Sequence, residues 1–376
     1  MISWSLADLA EAKNVRAVWC AIPALCALTA LGSATYRQIG YWDSDYDLWS
    51  HTLTLAQSPY AHNAAGVALM DPGSEMTPHD LENLASEQIR INEARRHFER
   101  AIELRRLQQN PDAALWDKAR TMNNLGNLDR LQNRLDEARE HDEGALEIYR
   151  QLAQQDPDAY LPYLAATLNN VGSINRLQNR LDEAGKDFEE ALKIDRQLAE
   201  QNPAKYLPNM ALMLNEFGLV DATQNRMEAA REHYEEALKI DRQLAEQSPG
   251  VYLPQLAMTL TNFGLLDVVQ NHMDDAHQHY EEALEIHRQL AEQNSAVYVP
   301  DLTMTLGNLG RVEQLLGRIE ESRAHYEEAL THLQNLVQRD SKYAGQMARI
   351  EASLEELQER SPSRQNPPRT GSGSKN

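Results

Sequence analysis

Gly126, Gly172, Gly218, Gly264 and Gly310 stand 46 residues apart. Other positions keep the same step. Tyr160-Leu161-Pro162 recurs as Tyr206-Leu207-Pro208 and Tyr252-Leu253-Pro254, then as Tyr298-Val299-Pro300. Ala145, Ala191, Ala237, Ala283 and Ala329 are each followed by Leu. Several registers in phase over five copies define one supersecondary unit used repeatedly. Such a unit cannot bury its apolar face alone, so neighbouring copies must stack. That requirement excludes most other plans for a chain of 376 residues.

Within one unit each marked residue has a physical task. The Gly sits mid-helix, where it costs about 1 kcal/mol relative to Ala; its use is close approach of a paired helix. The Pro of the Tyr-Leu-Pro run is placed in the first turn of that helix, where its missing N–H is harmless. Asn133, Asn179, Asn225, Asn271 and Gly317 mark the turn, because Asn and Gly tolerate the left-handed conformation that ends a helix. A second helix follows with small residues at Ala138, Ala184, Ala230, Ala276 and Ser322. Phe188, Tyr234, Tyr280 and Tyr326 come four residues on and Ala-Leu three further, a single buried stripe. Asp142 occupies the aromatic position in one copy, which is expected to pack less well. Asp156-Pro157, Asn202-Pro203 and Ser248-Pro249 close the unit, since Pro cannot continue a helix.

The spacing of Gly172, Ala184, Phe188 and Ala191 resembles the tetratricopeptide repeat family, and the extra length resembles its kinesin-light-chain type. The resemblance implies an all-α, tetratricopeptide-type α-solenoid: a right-handed superhelix of antiparallel helix pairs, with the first helix of each pair lining a concave groove for a protein or peptide. The groove positions it implies are Asn123, Asn127, Arg130, Asn169, Ser173, Arg176, Asn215, Leu219, Thr261, Leu265 and Arg311. Asn can hydrogen-bond a peptide backbone at both of its groups, and Arg130 and Arg176 suit a carboxylate. The alternative use of these Asn residues is to tie neighbouring helices together.

Ala17–Tyr36 holds 20 residues without a charge, about 30 Å as a helix, which matches a bilayer core. Arg16 and Arg37 bracket it, and Trp19 and Tyr36 lie near its ends. The expectation is one N-terminal transmembrane helix over 17–37 after a juxtamembrane segment, 1–16. Lys13 and Arg16 precede it, which places the repeats outside, in a periplasm-like compartment. Cleavage after Gly32-Ser33-Ala34 is the alternative and predicts a soluble secreted protein starting at Thr35. Residues 38–114 read as a divergent first repeat, with Gly66 as its small position, Ala94, Phe98 and Ala101 on its second helix, and an insertion over 71–85. Five repeats fill 115–340, a capping helix 341–360 and a disordered tail 361–376. The junction Arg37 to Trp49 with His62-Asn63 is similar to the C-terminal end of bacterial membrane glycosyltransferases related to protein O-mannosyltransferases. That implies a further alternative, a C-terminal fragment whose repeats position acceptor proteins.

Formal net charge is −21, which disfavours nucleic acid and favours partners with basic character. The only cysteines, Cys20 and Cys26, lie in the apolar segment, so no disulfide or zinc framework is available to the repeats. No phosphate loop, Gly-x-Ser-x-Gly or His-Glu-x-x-His run is present. His272, Asp275 and His279 could meet at one turn, but His233, His279 and His325 share one repeat position and read as exposed helix residues. No catalytic residue, cofactor or metal is assigned. The sequence points to a membrane-tethered scaffold, with no enzymatic activity, whose oligomeric state is open.

Overall fold

The computed structural model describes residues 45–70, 87–105 and 111–360. The expected membrane segment, the insertion, the tail and the start of the glycosyltransferase-like junction lie outside these residues. Among the described residues no helix is long and apolar enough to cross a membrane.

The described structure is all-α and α-solenoid in plan. Its helices are α1 (Asp45–Leu55), α2 (Pro59–Met70), α3 (Glu87–Arg105), α4 (Pro111–Leu131), α5 (Leu135–Gln155), α6 (Pro157–Leu177), α7 (Leu181–Gln201), α8 (Pro203–Thr223), α9 (Met227–Gln247), α10 (Pro249–Val269), α11 (Met273–Gln293), α12 (Ser295–Leu316), α13 (Ile319–Arg339) and α14 (Ala344–Arg360). The even-numbered helices from α2 to α12 are the first, or A, helices of their pairs. Their odd-numbered successors are the B helices. The chain divides into two compact units, residues 1–160 and 161–376.

The 46-residue step resolves into helix, turn and break. In α6–α7 two 21-residue helices are separated by Gln178 to Arg180 and followed by Asn202 alone. The turn is made by a residue in the left-handed region: φ is 60° at Asn179, 62° at Asn225, 61° at Asn271 and 76° at Gly317. This is the conformation Asn and Gly supply at least cost. The one-residue break suffices because Pro157, Pro203 and Pro249 open the A helices, where a Pro loses nothing. That corrects the placement of the Tyr-Leu-Pro prolines. Pro162, Pro208, Pro254 and Pro300 lie inside the A helices, one turn later than the first-turn position, because the helix already starts at the earlier proline or, for Pro300, at Ser295.

The mid-helix glycines perform the expected task. A Cβ on Gly172 would lie 2.8 Å from the Phe188 ring. On Gly218, Gly264 and Gly310 it would lie 3.0, 2.9 and 2.9 Å from Tyr234, Tyr280 and Tyr326. The ring therefore seats on bare backbone. The divergent first pair is built alike, with Phe98 over Gly66. Phe98, Phe188, Tyr234, Tyr280 and Tyr326 are all fully buried, each contributing about 2 kcal/mol or more of apolar burial. In the second unit each B helix also packs on the next A helix: α7 on α8, α9 on α10 and α11 on α12. The array ends at α14, whose Ile350 and Leu357 join the core of α12–α13.

Candidate functional site

Four of the A helices, α4, α8, α10 and α12, end in a buried acid gripped by the B helix that follows. His141 Nδ1 lies 2.8 Å from Asp129, His233 2.8 Å from Asp221, His279 2.7 Å from Asp267 and His325 2.8 Å from Glu313. In α6 the roles are exchanged: Asn175 takes the place of the acid, and its amide donates to Asp187 of the B helix at 2.8 Å. These histidines are therefore half-buried cross-helix partners, which corrects the reading of His233, His279 and His325 as exposed. They lie 12 residues after the acid, the span that returns the chain across the turn.

The same finding answers the metal reading. Asp267, His272 and Asp275 present donor atoms within 4.8 Å of one another. Arg231 already holds the place of a cation, donating to Asp267 at 2.5 Å, Gln270 at 2.6 Å and His272 Nδ1 at 2.9 Å. The cluster repeats a structural pattern, since Arg95 pairs with Asp129 in the same way.

The expected groove residues fall into three groups. Leu265 and Arg311 are exposed. Asn123, Asn127, Arg130, Asn169, Ser173, Arg176 and Leu219 are half-buried, while Asn215 and Thr261 are buried. Asn215 accepts from Asn262 Nδ2 at 3.1 Å, and Asn63 accepts from Asn124 at 3.0 Å. Here the alternative reading holds, because one A helix is tied to the next. Arg176 meets a carboxylate of its own chain, Glu216, at 2.7 Å. Arg130 donates to Asn127 at 3.1 Å.

The surface that remains is apolar. In the second unit the exposed large apolar side chains are Tyr163, Leu177, Leu212, Val251, Met258, Leu265, Val269, Val297, Met304 and Leu315. All ten lie on α6, α8, α10 and α12, and none on a B helix. Leu212, Met258 and Met304 are 46 residues apart. On α10 the residues Val251, Met258, Leu265 and Val269 form one stripe, 38–66% exposed. The only charge on α10 is Asp267, which is buried. The B helices carry the acid instead, with ladders such as Arg196–Glu236 at 2.6 Å, Arg242–Glu282 at 2.7 Å and Arg288–Glu328 at 2.6 Å.

Between α8, α10 and α12 this face opens into a pocket of about 400 Å³. Leu212, Val251, Met258 and Met304 supply apolar wall, and Gln255, Thr261, Asn262, His287 and Asp301 supply polar groups. His287 forms part of its lining, within 2.9 Å of the Thr305 hydroxyl, and burial pushes its pKa below the usual histidine value. A second pocket, about 430 Å³, is bordered by Arg288, Glu328, His332 and Arg339. It lacks a continuous exposed apolar stripe.

Most of the apolar stripe was legible in the sequence, where of its residues only Leu265 is placed in the groove. Leu212, Met258 and Met304 keep the 46-residue step, and Val251, Met258 and Leu265 keep a seven-residue step.

Family models described as tetratricopeptide repeat match residues 83–151, 117–197, 163–243 and 209–289, with a second such model over 302–341. The chain belongs to the tetratricopeptide repeat family. Among solved structures it is similar to BtubC (BKLC) from P. vanneervenii, at 22% identity and a TM-score of 0.50, over 74% of this chain and 95% of that one. It is also similar to the apo form of RapI, at 12% identity and a TM-score of 0.49, over 80% of this chain and 98% of that one. No curated protein sequence matches. The long repeats are compatible with the kinesin-light-chain type.

Proposed function

We propose that the protein is a scaffold that binds a protein or peptide segment across the A-helix face of α8, α10 and α12. The observation that carries this reading is the confinement of the second unit's exposed large apolar side chains to A helices. An exposed apolar surface of this continuity marks an interaction site. Among the described residues of that unit nothing packs over it. The pocket of about 400 Å³ gives it a place for an anchoring side chain. Repeats of this kind typically serve as non-catalytic scaffolds, and the buried acids, histidines and arginines are engaged in joining helices.

Leu265→Glu and Met258→Glu test the reading in capture of partners from the protein's own extract and envelope fraction. Both variants are expected to lose the captured species, while Glu235→Gln, on the exposed face of α9, retains it. Retention by Leu265→Glu and Met258→Glu contradicts the proposal.

The membrane tether over residues 17–37 rests on its sequence of 20 uncharged residues, with the repeats on the extracytoplasmic side. A cysteine at Gly250, at the open start of α10, tests it. Labelling by an impermeant thiol reagent in intact cells, together with membrane retention, is the expected result. Protection until lysis reverses the orientation.

A further inference from the structure

In a regular repeat two buried acceptors are satisfied from the next A helix. Asp241, on α9, accepts from Thr259 at 2.7 Å and Gln255 at 2.5 Å, both on α10. Asn215, on α8, accepts from Asn262 on α10. One repeat earlier the two acceptors remain and the donors are gone. Asp195 on α7 stands 46 residues before Asp241, and Asn169 on α6 stands 46 before Asn215. Met213 replaces the Thr259 hydroxyl. Glu216 replaces Asn262 and turns to Arg176. Asn209, in the Gln255 place, is exposed and makes no bond to Asp195.

Asp195 is 7% exposed and has no hydrogen-bond partner; its burial raises its pKa to about 7. The Asn169 side-chain oxygen is buried and also without a partner. An unsatisfied buried acceptor destabilises the fold that holds it. Its persistence at both positions, through replacement of all three donors, marks a place built to receive donors from outside. The same two repeat positions, two steps on, are Thr261 and His287, and both line the pocket between α10 and α12. By the same repeat step, Asp195 and Asn169 take the equivalent places between α6 and α8, where Tyr163 and Leu212 are exposed.

We infer that this cleft is a recognition socket for an arginine side chain of the bound segment, whose guanidinium donates to the Asp195 carboxylate and the Asn169 oxygen while its stem lies on Leu212. The inference rests on the proposed binding face and names what that face selects. A planar donor fork suits two separated acceptors better than a point charge does. The net charge of −21 favours a basic partner over an acidic one.

The test uses the full chain and two fluorescent peptides of one leucine-rich sequence, with a central arginine in one and norleucine in the other. The wild type is expected to bind the arginine peptide about tenfold tighter, a difference of roughly 1.4 kcal/mol. Asp195→Leu, which copies the Leu333 found at this position in the last repeat, is expected to bring the two peptides within about twofold, with its fold intact by circular dichroism. Glu236→Gln, on the acidic B face, should leave the preference unchanged. If both peptides bind equally to the wild type, or if Asp195→Leu keeps the preference, the socket is wrong although the binding face stands. If neither peptide binds, or if Leu265→Glu leaves both bound as before, the face itself fails and the socket with it.

Discussion

The α4–α5 pair and the α8–α9 pair share one backbone plan and differ in what sits on the mid-helix glycine. In α8–α9 the Tyr234 ring lies over Gly218. The outer face adds the Arg196–Glu236 and Arg242–Glu282 ladders. In α4–α5 Asp142 occupies the ring's place over Gly126, buried, with its Oδ1 unsatisfied. Gly144 stands where the ladder has Glu236. Met122 lies against Gly144 in the space the missing side chain leaves. The fold tolerates the loss of the ring because the turn at Asn133 and the Asp129–His141 bond persist. Turn and acid–histidine lock define the helix pair; the ring and the ladder add stability to it.

The comparison breaks most visibly if the ring is removed where it is present. Tyr234→Asp is expected to lose about 3–5 kcal/mol, the range for emptying an aromatic core site, measured by urea unfolding. The converse change, Asp142→Phe, should stabilise α4–α5 by about 2 kcal/mol through apolar burial and removal of an unpaired carboxyl. A loss there would show that Asp142 is itself the better fit. Smaller still is Gly264→Ala. Helix propensity alone would favour Ala by about 1 kcal/mol. The new Cβ would stand 2.9 Å from the Tyr280 ring, so a net loss of about 1–2 kcal/mol is expected from overpacking.

Two pH dependences sharpen the contrast. Burial raises Asp142 from 3.8 to about 8, against an opposing pull from Arg130 and with a push from Asp129. The folded state then holds a proton that the unfolded state gives up. Its contribution to stability is full below pH 4 and is lost as pH rises towards 8. Asp142→Asn should remove that slope from the unfolding midpoint, and no change in slope would refute the assignment. His62, on α2, behaves oppositely. Burial, His97 and Arg100 lower its pKa to about 4. Its Nδ1 lies 3.0 Å from His97 Nδ1, and its Nε2 2.9 Å from Gln57 Oε1. The unfolded state takes the proton first, so stability falls as pH drops from 6.5 towards 4. His62→Gln should flatten that acid limb.

Much of the fold was legible because the repeat exposes which residues are structural. A glycine at Gly218 and an aromatic at Tyr234 keep one spacing in successive copies, and only close helix approach explains the pair. The Asn225 turn was legible for the same reason, since few residues accept positive φ. Pro208 was misplaced because two prolines lie near each break, and sequence alone did not say which one opens the helix. The site was less legible. Leu265 and Arg311 do lie exposed, but Asn215 spends its side chain on Asn262. Met258 and Val269 look like core residues until the structure shows that no helix of their unit covers them.

The central claim, that the A-helix face of α8–α12 is the binding face, is tested most directly by site-specific photo-crosslinking in the source cells. A benzophenone side chain is placed at Leu265 in one variant and at Glu235 in another. The account predicts a discrete protein adduct from Leu265 and none from Glu235. An adduct from Glu235 alone, or none from Leu265, would contradict it.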